Sequence, residues 1–164
     1  CGSGRDAVFI AQMLTSRCIR WRALAVDNHR AALDRGRALA RLAGTEGNAH
    51  FIEADLRRGG LERCIEAHGA PLRLVHGCRF LDMALMTRLP DLLAPGAVVI
   101  WSTFLEGCEL IAPPFRRSRR LERGQLRSVL GENNGFEVLF DTEGELITRG
   151  HWVPAQFYMA KLKG

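Results

Sequence analysis

Strand-like and helix-like segments alternate along this chain, and that alternation constrains its fold more than any other feature. The opening "CGSGRD" runs into a helix-like apolar stretch over residues 7–14. "RWRALAVD" holds a short apolar strand ending at Asp27. In "NHRAALDRGRALARLAG", Arg30, Asp34, Arg37 and Arg41 share one helical face while Ala32, Gly36, Leu39 and Ala43 share another. That pattern is an amphipathic helix with Gly44 as its stop. "NAHFIEAD" reads as a second strand ending near Asp55, "LERCIEAHG" as a short helix, and "PLRLVHG" as a third strand closing at His76 and Gly77.

"DMALMTRLPDLLAPG" reads as a helix interrupted at Pro90 and finished by a Pro95-Gly96 turn. β-Branched "AVVIWSTF" is the strongest strand signal in the chain. A helix is expected around residues 121–130. "GFEVLFD", a polar turn through Gly144 and "WVPAQFYMAKLKG" make a closing strand pair, with Pro154 limiting where its second strand begins. The 164 residues suit one domain, 1–164, of α/β class: a mostly parallel sheet with helices on both faces.

Parallel sheets bind ligands beyond the carboxyl ends of their strands. The opening glycine loop, Asp27, Asp55 and the segment 76–79 all fall there. Gly2 and Gly4 allow backbone to approach a ligand where a Cβ would clash, although a ligand-free tight turn needs them equally. Asp27 is of the type that accepts hydrogen bonds from a ribose diol; its alternative is a helix N-cap, a job for which Asn28 and His29 compete. Asp55 suits an exocyclic amine, with Leu56 packing on a purine face, or else starts a turn before Arg57-Arg58-Gly59-Gly60. His76 is a general base by type or a structural histidine closing a buried strand. Arg79 reads as a helix-start residue or a substrate contact. With no Ser-His-Asp arrangement, HExxH or P-loop lysine, hydrolysis and phosphoryl transfer have nothing to stand on.

The formal charge is +5, and its densest cluster is Arg116, Arg117, Arg119, Arg120, Arg123 and Arg127. The cluster reads as a solvated loop and helix start or as a binding patch, without the aromatic interleaving of a single-strand stacking platform. Nucleic acid is thus the less favoured partner. Five cysteines with no CxxC pair read as free thiols, which implies the cytoplasm or another reducing compartment. No apolar run approaches the roughly 20 residues that span a bilayer, so no membrane partner is expected.

Taken together these residues resemble the class I S-adenosylmethionine-dependent methyltransferases. "CGSGRDAVFIA" is similar to the later part of that superfamily's first motif, a strand followed by D-x-G-x-G-x-G, and its Gly-Arg-Asp continuation looks most like the tellurite-resistance and thiopurine methyltransferase branch. The resemblance runs through "AVD", "EADL", "RFL", "LLAPGAVVIWSTF", "GEN…GFEVL" and a terminal "FYMAKLK", with Ala97 where a second glycine is usual. It implies a Rossmann-like sheet with an antiparallel C-terminal strand pair and S-adenosyl-L-methionine as cofactor. Gly2, Ser3 and Gly4 would border the methionine moiety. Asp27, with Asn28 beside it, would meet the ribose, and Asp55 with Leu56 the adenine. The segment holding His76, Gly77 and Arg79 would lie beneath the sulfonium.

The resemblance further implies methyl transfer to a small-molecule acceptor. A non-catalytic binding module or an RNA or protein methyltransferase are the alternatives; a nicotinamide dehydrogenase is the least supported. No catalytic residue is assigned.

The superfamily's first strand and first motif glycine are absent from this chain. That strand lies mid-sheet, between the second and the fourth, so two interior edges are expected to lack a partner. Four or five buried apolar residues are worth some 6–15 kcal/mol as an upper estimate, comparable to a whole domain's stability of about 5–15 kcal/mol. The chain alone is therefore expected to be marginally folded or unfolded unless another segment fills the slot, and its simplest account is a fragment of a longer polypeptide.

Overall fold

In the computed structural model, which describes residues 1–110, 120–148 and 150–164, the opening loop gives way to α1 (Arg5–Ser16). Gly4 begins that helix from a left-handed conformation, φ +72°. There follow β1 (Ala23–Asp27), α2 (Arg30–Leu42), β2 (Ala49–Glu53), a single 3₁₀ turn (Leu56–Arg58) and α3 (Gly60–His68). These elements make up the first of two compact units, Cys1–His68. β1 and β2 pair in parallel from Ala23↔Ala49 to Asp27↔Glu53. Their core is built of small residues: Val8, Ala11, Ala23, Ala40 and Ala49, with Ile10, Leu39, Ala43 and Phe51 packed against them. Alanine at both strand starts lets the helices approach the sheet closely.

The second unit, Gly69–Gly164, contains β3 (Leu72–Cys78), α4 (Met83–Leu92), β4 (Leu93–Phe104), α5 (Gln125–Leu130), β5 (Phe136–Thr148) and β6 (His151–Leu162). Its strand order is β3-β4-β6-β5. β3 and β4 run parallel, while β6 is antiparallel to both β4 and β5, which gives the expected antiparallel closing pair. The core is bulkier here, with Met86, Leu89, Val99, Trp101, Leu126, Leu130, Phe136 and Tyr158 all buried. Among the described residues β1 pairs only with β2, and β3 only with β4. These are the two strands that the resemblance leaves with open edges.

Several boundaries differ from the sequence reading. α4 continues past Pro90 to Leu92, because proline near a helix end removes few hydrogen bonds. β4 then begins at once, at Leu93, and takes in Pro95-Gly96 as an irregularity: its register against β3 steps from Leu72↔Leu93 to Leu74↔Val98. Gly144 is not a turn. β5 runs straight through it, pairing Gly144 with Ala155, and the left-handed glycine is Gly150, φ +82°. Pro154 sits inside β6, just beyond Ala155, where the β4 ladder stops, so the N–H it lacks has no β4 partner to miss. α5 spans only Gln125–Leu130, preceded by left-handed Gly124.

Candidate functional site

Asp27 ends β1 and gathers the opening loop around its carboxylate. Oδ2 accepts the Gly2 N–H at 2.7 Å and the Cys1 amino group at 2.8 Å, while Oδ1 accepts the His29 N–H at 2.9 Å. The Cys1 amino group also donates to the Val26 carbonyl at 3.1 Å. His29, not Asp27 or Asn28, caps α2, its Nδ1 accepting the Ala32 N–H at 3.2 Å. Relieved of capping, Asp27 is committed to the loop. Its side chain is 18% exposed, and a carboxylate with about four acceptor positions still has capacity for a further donor. Burial by itself would raise the Asp27 pKa. The N–H groups of Gly2 and His29, whose hydrogen bonds it accepts, act against that and favour the carboxylate.

The two loop glycines have different jobs. Gly2 is exposed with φ +55°, and a Cβ built there would meet nothing within 4 Å, so its backbone faces open space. Gly4 is buried, and a Cβ there would stand 2.4 Å from the Phe51 ring. Gly36 on α2 is in the same position, 2.3 Å from that ring. Phe51 therefore fills a slot that both glycines leave free, and it holds the loop against α2. Ser3, half-buried, lies between the two loop glycines, and Asn28 is exposed beside Asp27.

Asp55 follows β2 and starts the 3₁₀ turn. Oδ1 accepts the Arg57 N–H at 3.0 Å, and Oδ2 lies 3.6 Å from the Arg58 guanidinium. Gly60 is needed behind it, since a Cβ there would stand 2.5 Å from the Asp55 carbonyl oxygen. Leu56 is half-buried. The neighbouring strand end is joined to this segment by the Ala54 N–H, which donates to the Asp27 carbonyl at 3.0 Å. Asp27 and Asp55 thus stand on one rim of the first unit with the glycine loop.

His76, Gly77 and Arg79 belong to the second unit and form a group of their own. His76 is exposed; it does not close a buried strand, because β3 has a strand partner on one side only among the described residues. A Cβ at Gly77 would stand 2.5 Å from the Trp101 indole. Arg79 takes a left-handed conformation, φ +54°, its N–H donating to the Ser102 carbonyl at 2.7 Å and its guanidinium to the Ile147 carbonyl at 2.9 Å. The Trp101 indole N–H donates to the Phe80 carbonyl at 2.8 Å. Arg79 is therefore a strand-end clasp rather than a helix-start residue, and Gly77 makes room for an indole.

Half of the arginine cluster is accounted for by ion pairs. Arg120 pairs with Glu109, Arg123 with Glu143 and Glu106, and Arg127 with Glu132 and Asp141. Arg116, Arg117 and Arg119 lie outside the described residues. All five cysteines are free, and burial pushes the Cys64 and Cys108 thiols up. No group of metal-ligating side chains and no helix long and apolar enough to cross a membrane occurs among the described residues.

The fold is the Rossmann-like α/β fold of the class I S-adenosylmethionine-dependent methyltransferases. TehB from Haemophilus influenzae superposes with a TM-score of 0.71 at 11% identity, over 99% of this chain and 55% of that one. A S-adenosylmethionine-dependent methyltransferase from Methanosarcina mazei gives 0.69 at 16% identity, over 99% and 89%. The [4+2]-cyclase SpnF gives 0.67 at 13% identity, over 99% and 72%. This chain thus spans about half the length of TehB. No family model and no curated protein matches the sequence. A cyclase among the similar structures illustrates that this fold fixes a framework and not a reaction.

Proposed function

We propose that the chain is the cofactor-binding part of a methyltransferase acting on a small-molecule acceptor. The observation that carries the proposal is the tie between Asp27 and Gly2: an acidic side chain at a strand end, with acceptor capacity left, holds a glycine whose backbone faces open space. S-adenosylmethionine, when bound, supplies an activated methyl group. Asp27 would accept a ribose hydroxyl, with Asn28 beside it. The Gly2-Ser3-Gly4 backbone would run along the methionine moiety, and Asp55 with Leu56 would meet the adenine. The residues present fit that group: Gly2 leaves the space, and Asp27 is partly exposed with acceptor capacity left. The proposal rests on the first unit alone.

A small acceptor is favoured over RNA because the described arginines of the cluster are already paired with Glu106, Glu109, Glu132, Asp141 and Glu143, which reduces their hold on phosphates. Calorimetric titration of S-adenosylmethionine tests the cofactor reading. Wild type should bind saturably, and Asp27→Ala should weaken binding about 10- to 100-fold, the value of one hydrogen bond to a charged group. Absence of binding by wild type would remove the reading. Tritium carried from the methyl group into RNA, rather than into small acceptors, would move the choice to RNA.

A further inference from the structure

A groove of about 570 Å³ lies along β2 in the first unit, lined by the second half of α2, Ala49 to Ile52 of β2 and the end of α3. Its lining includes neither Asp27 nor Asp55 nor any residue of the opening loop. Four of its side chains are donors by type: Arg37, Arg41, His50 and His68, with Glu46 as the acid on the same lining. Arg37 is held as a fixed plane, donating to Asp34 at 2.7 Å and to the Phe51 carbonyl at 2.9 Å. Arg41 has no ion-pair partner among the described residues. The rings of His50 and His68 stand edge-on with centroids 6.0 Å apart. His50 Nε2 is shielded from solvent and has no hydrogen-bond partner. Phe51 is also on the lining, its carbonyl already taken by Arg37.

We infer that this groove is a second binding site, for a small ligand bearing an oxyanion, whether phosphate or carboxylate. Donors outnumber acceptors on the lining, one arginine is pre-set and another uncommitted, and an imidazole nitrogen is left without a partner. Planar guanidinium forks are suited to such oxygens. A metal ion is the poorer occupant, because the two histidines gather no third ligating side chain among the described residues. The inference is independent of the reading of the Asp27 rim.

The test is calorimetric titration of the chain with inorganic pyrophosphate and, in a parallel arm, with malonate. Saturable binding of either supports the site, and the tighter of the two identifies the source of the oxyanion. Arg41→Gln and His68→Gln, both at exposed positions, should each weaken that binding about tenfold, the scale of one charge-assisted hydrogen bond. Circular dichroism melts should confirm that both variants remain folded. Saturating S-adenosylmethionine should leave the affinity within about twofold. No saturable binding of either anion, an affinity unchanged in both variants, or displacement by S-adenosylmethionine would overturn the inference.

Discussion

Gly36 shows how one residue's cost can change sign with its neighbour. Alanine is favoured over glycine in a helix interior by about 1 kcal/mol. At Gly36, however, the added Cβ would stand 2.3 Å from the edge of the Phe51 ring, and overpacking of that kind costs about 1–3 kcal/mol. Gly36→Ala should therefore destabilise wild type, yet be neutral or stabilising in a Phe51→Ala background. A double-mutant cycle by urea denaturation reads the difference. Asp27 gives a second residue-scale prediction: its carboxylate accepts the N–H groups of Gly2 and His29, so Asp27→Ala should lower the thermal midpoint, read by circular dichroism. Asp27 was legible in the sequence because an acid closing an apolar strand announces its own position. Phe51 was not, since its partners Gly4 and Gly36 come from two other elements and no local pattern links them.

At the scale of elements, the alternation placed the strands and α-helices found among the described residues, while proline and glycine misplaced their ends. Gly144 and Gly150 carry the same local turn signal; pairing with β6 decides between them. Gly144 lies in the ladder opposite Ala155, and only Gly150 has a left-handed backbone with open space around it. Gly150→Ala should then cost about 1–2 kcal/mol through its φ of +82°, measured by chemical denaturation. Tyr158 joins β6 to α5 by donating its hydroxyl to the Leu130 carbonyl at 2.9 Å. Burial first, with the nearby charge of Asp141, pushes its phenol up to about 12. That raised value means the contribution is whole below about pH 10, the unfolded value, and is lost as pH rises toward 12. Tyr158→Phe should lower stability by about 1 kcal/mol near neutral pH and flatten the alkaline limb of a pH–stability curve. The hydrogen bond that makes this tyrosine matter reaches α5, whose extent the arginine-rich sequence before it obscured.

For the whole molecule, the two units differ in what holds them together. The first has a two-stranded sheet over a core of four alanines and one valine, with larger side chains only partly buried around it. Buried alanine removes far less apolar area from water than leucine or an aromatic, and a two-stranded sheet is marginal without helix packing. The second unit has four strands and buries Trp101, Phe136, Tyr158 and several leucines. Its strand β6 is paired on both sides, so its amides exchange only when β4 or β5 also opens. Hydrogen exchange followed by mass spectrometry should accordingly show β6 slowest and the strands of the first unit, β1 and β2, faster, as a separate opening step at lower denaturant. Binding adds protection only where the ligand contacts the folded form. If the Asp27 rim holds the cofactor, S-adenosylmethionine should slow exchange over β1 and the opening of α2 while exchange at the centre of β6 stays as it was. Uniform exchange across both units would remove the two-step picture, and unchanged β1 protection at saturating ligand would remove the rim as the binding site.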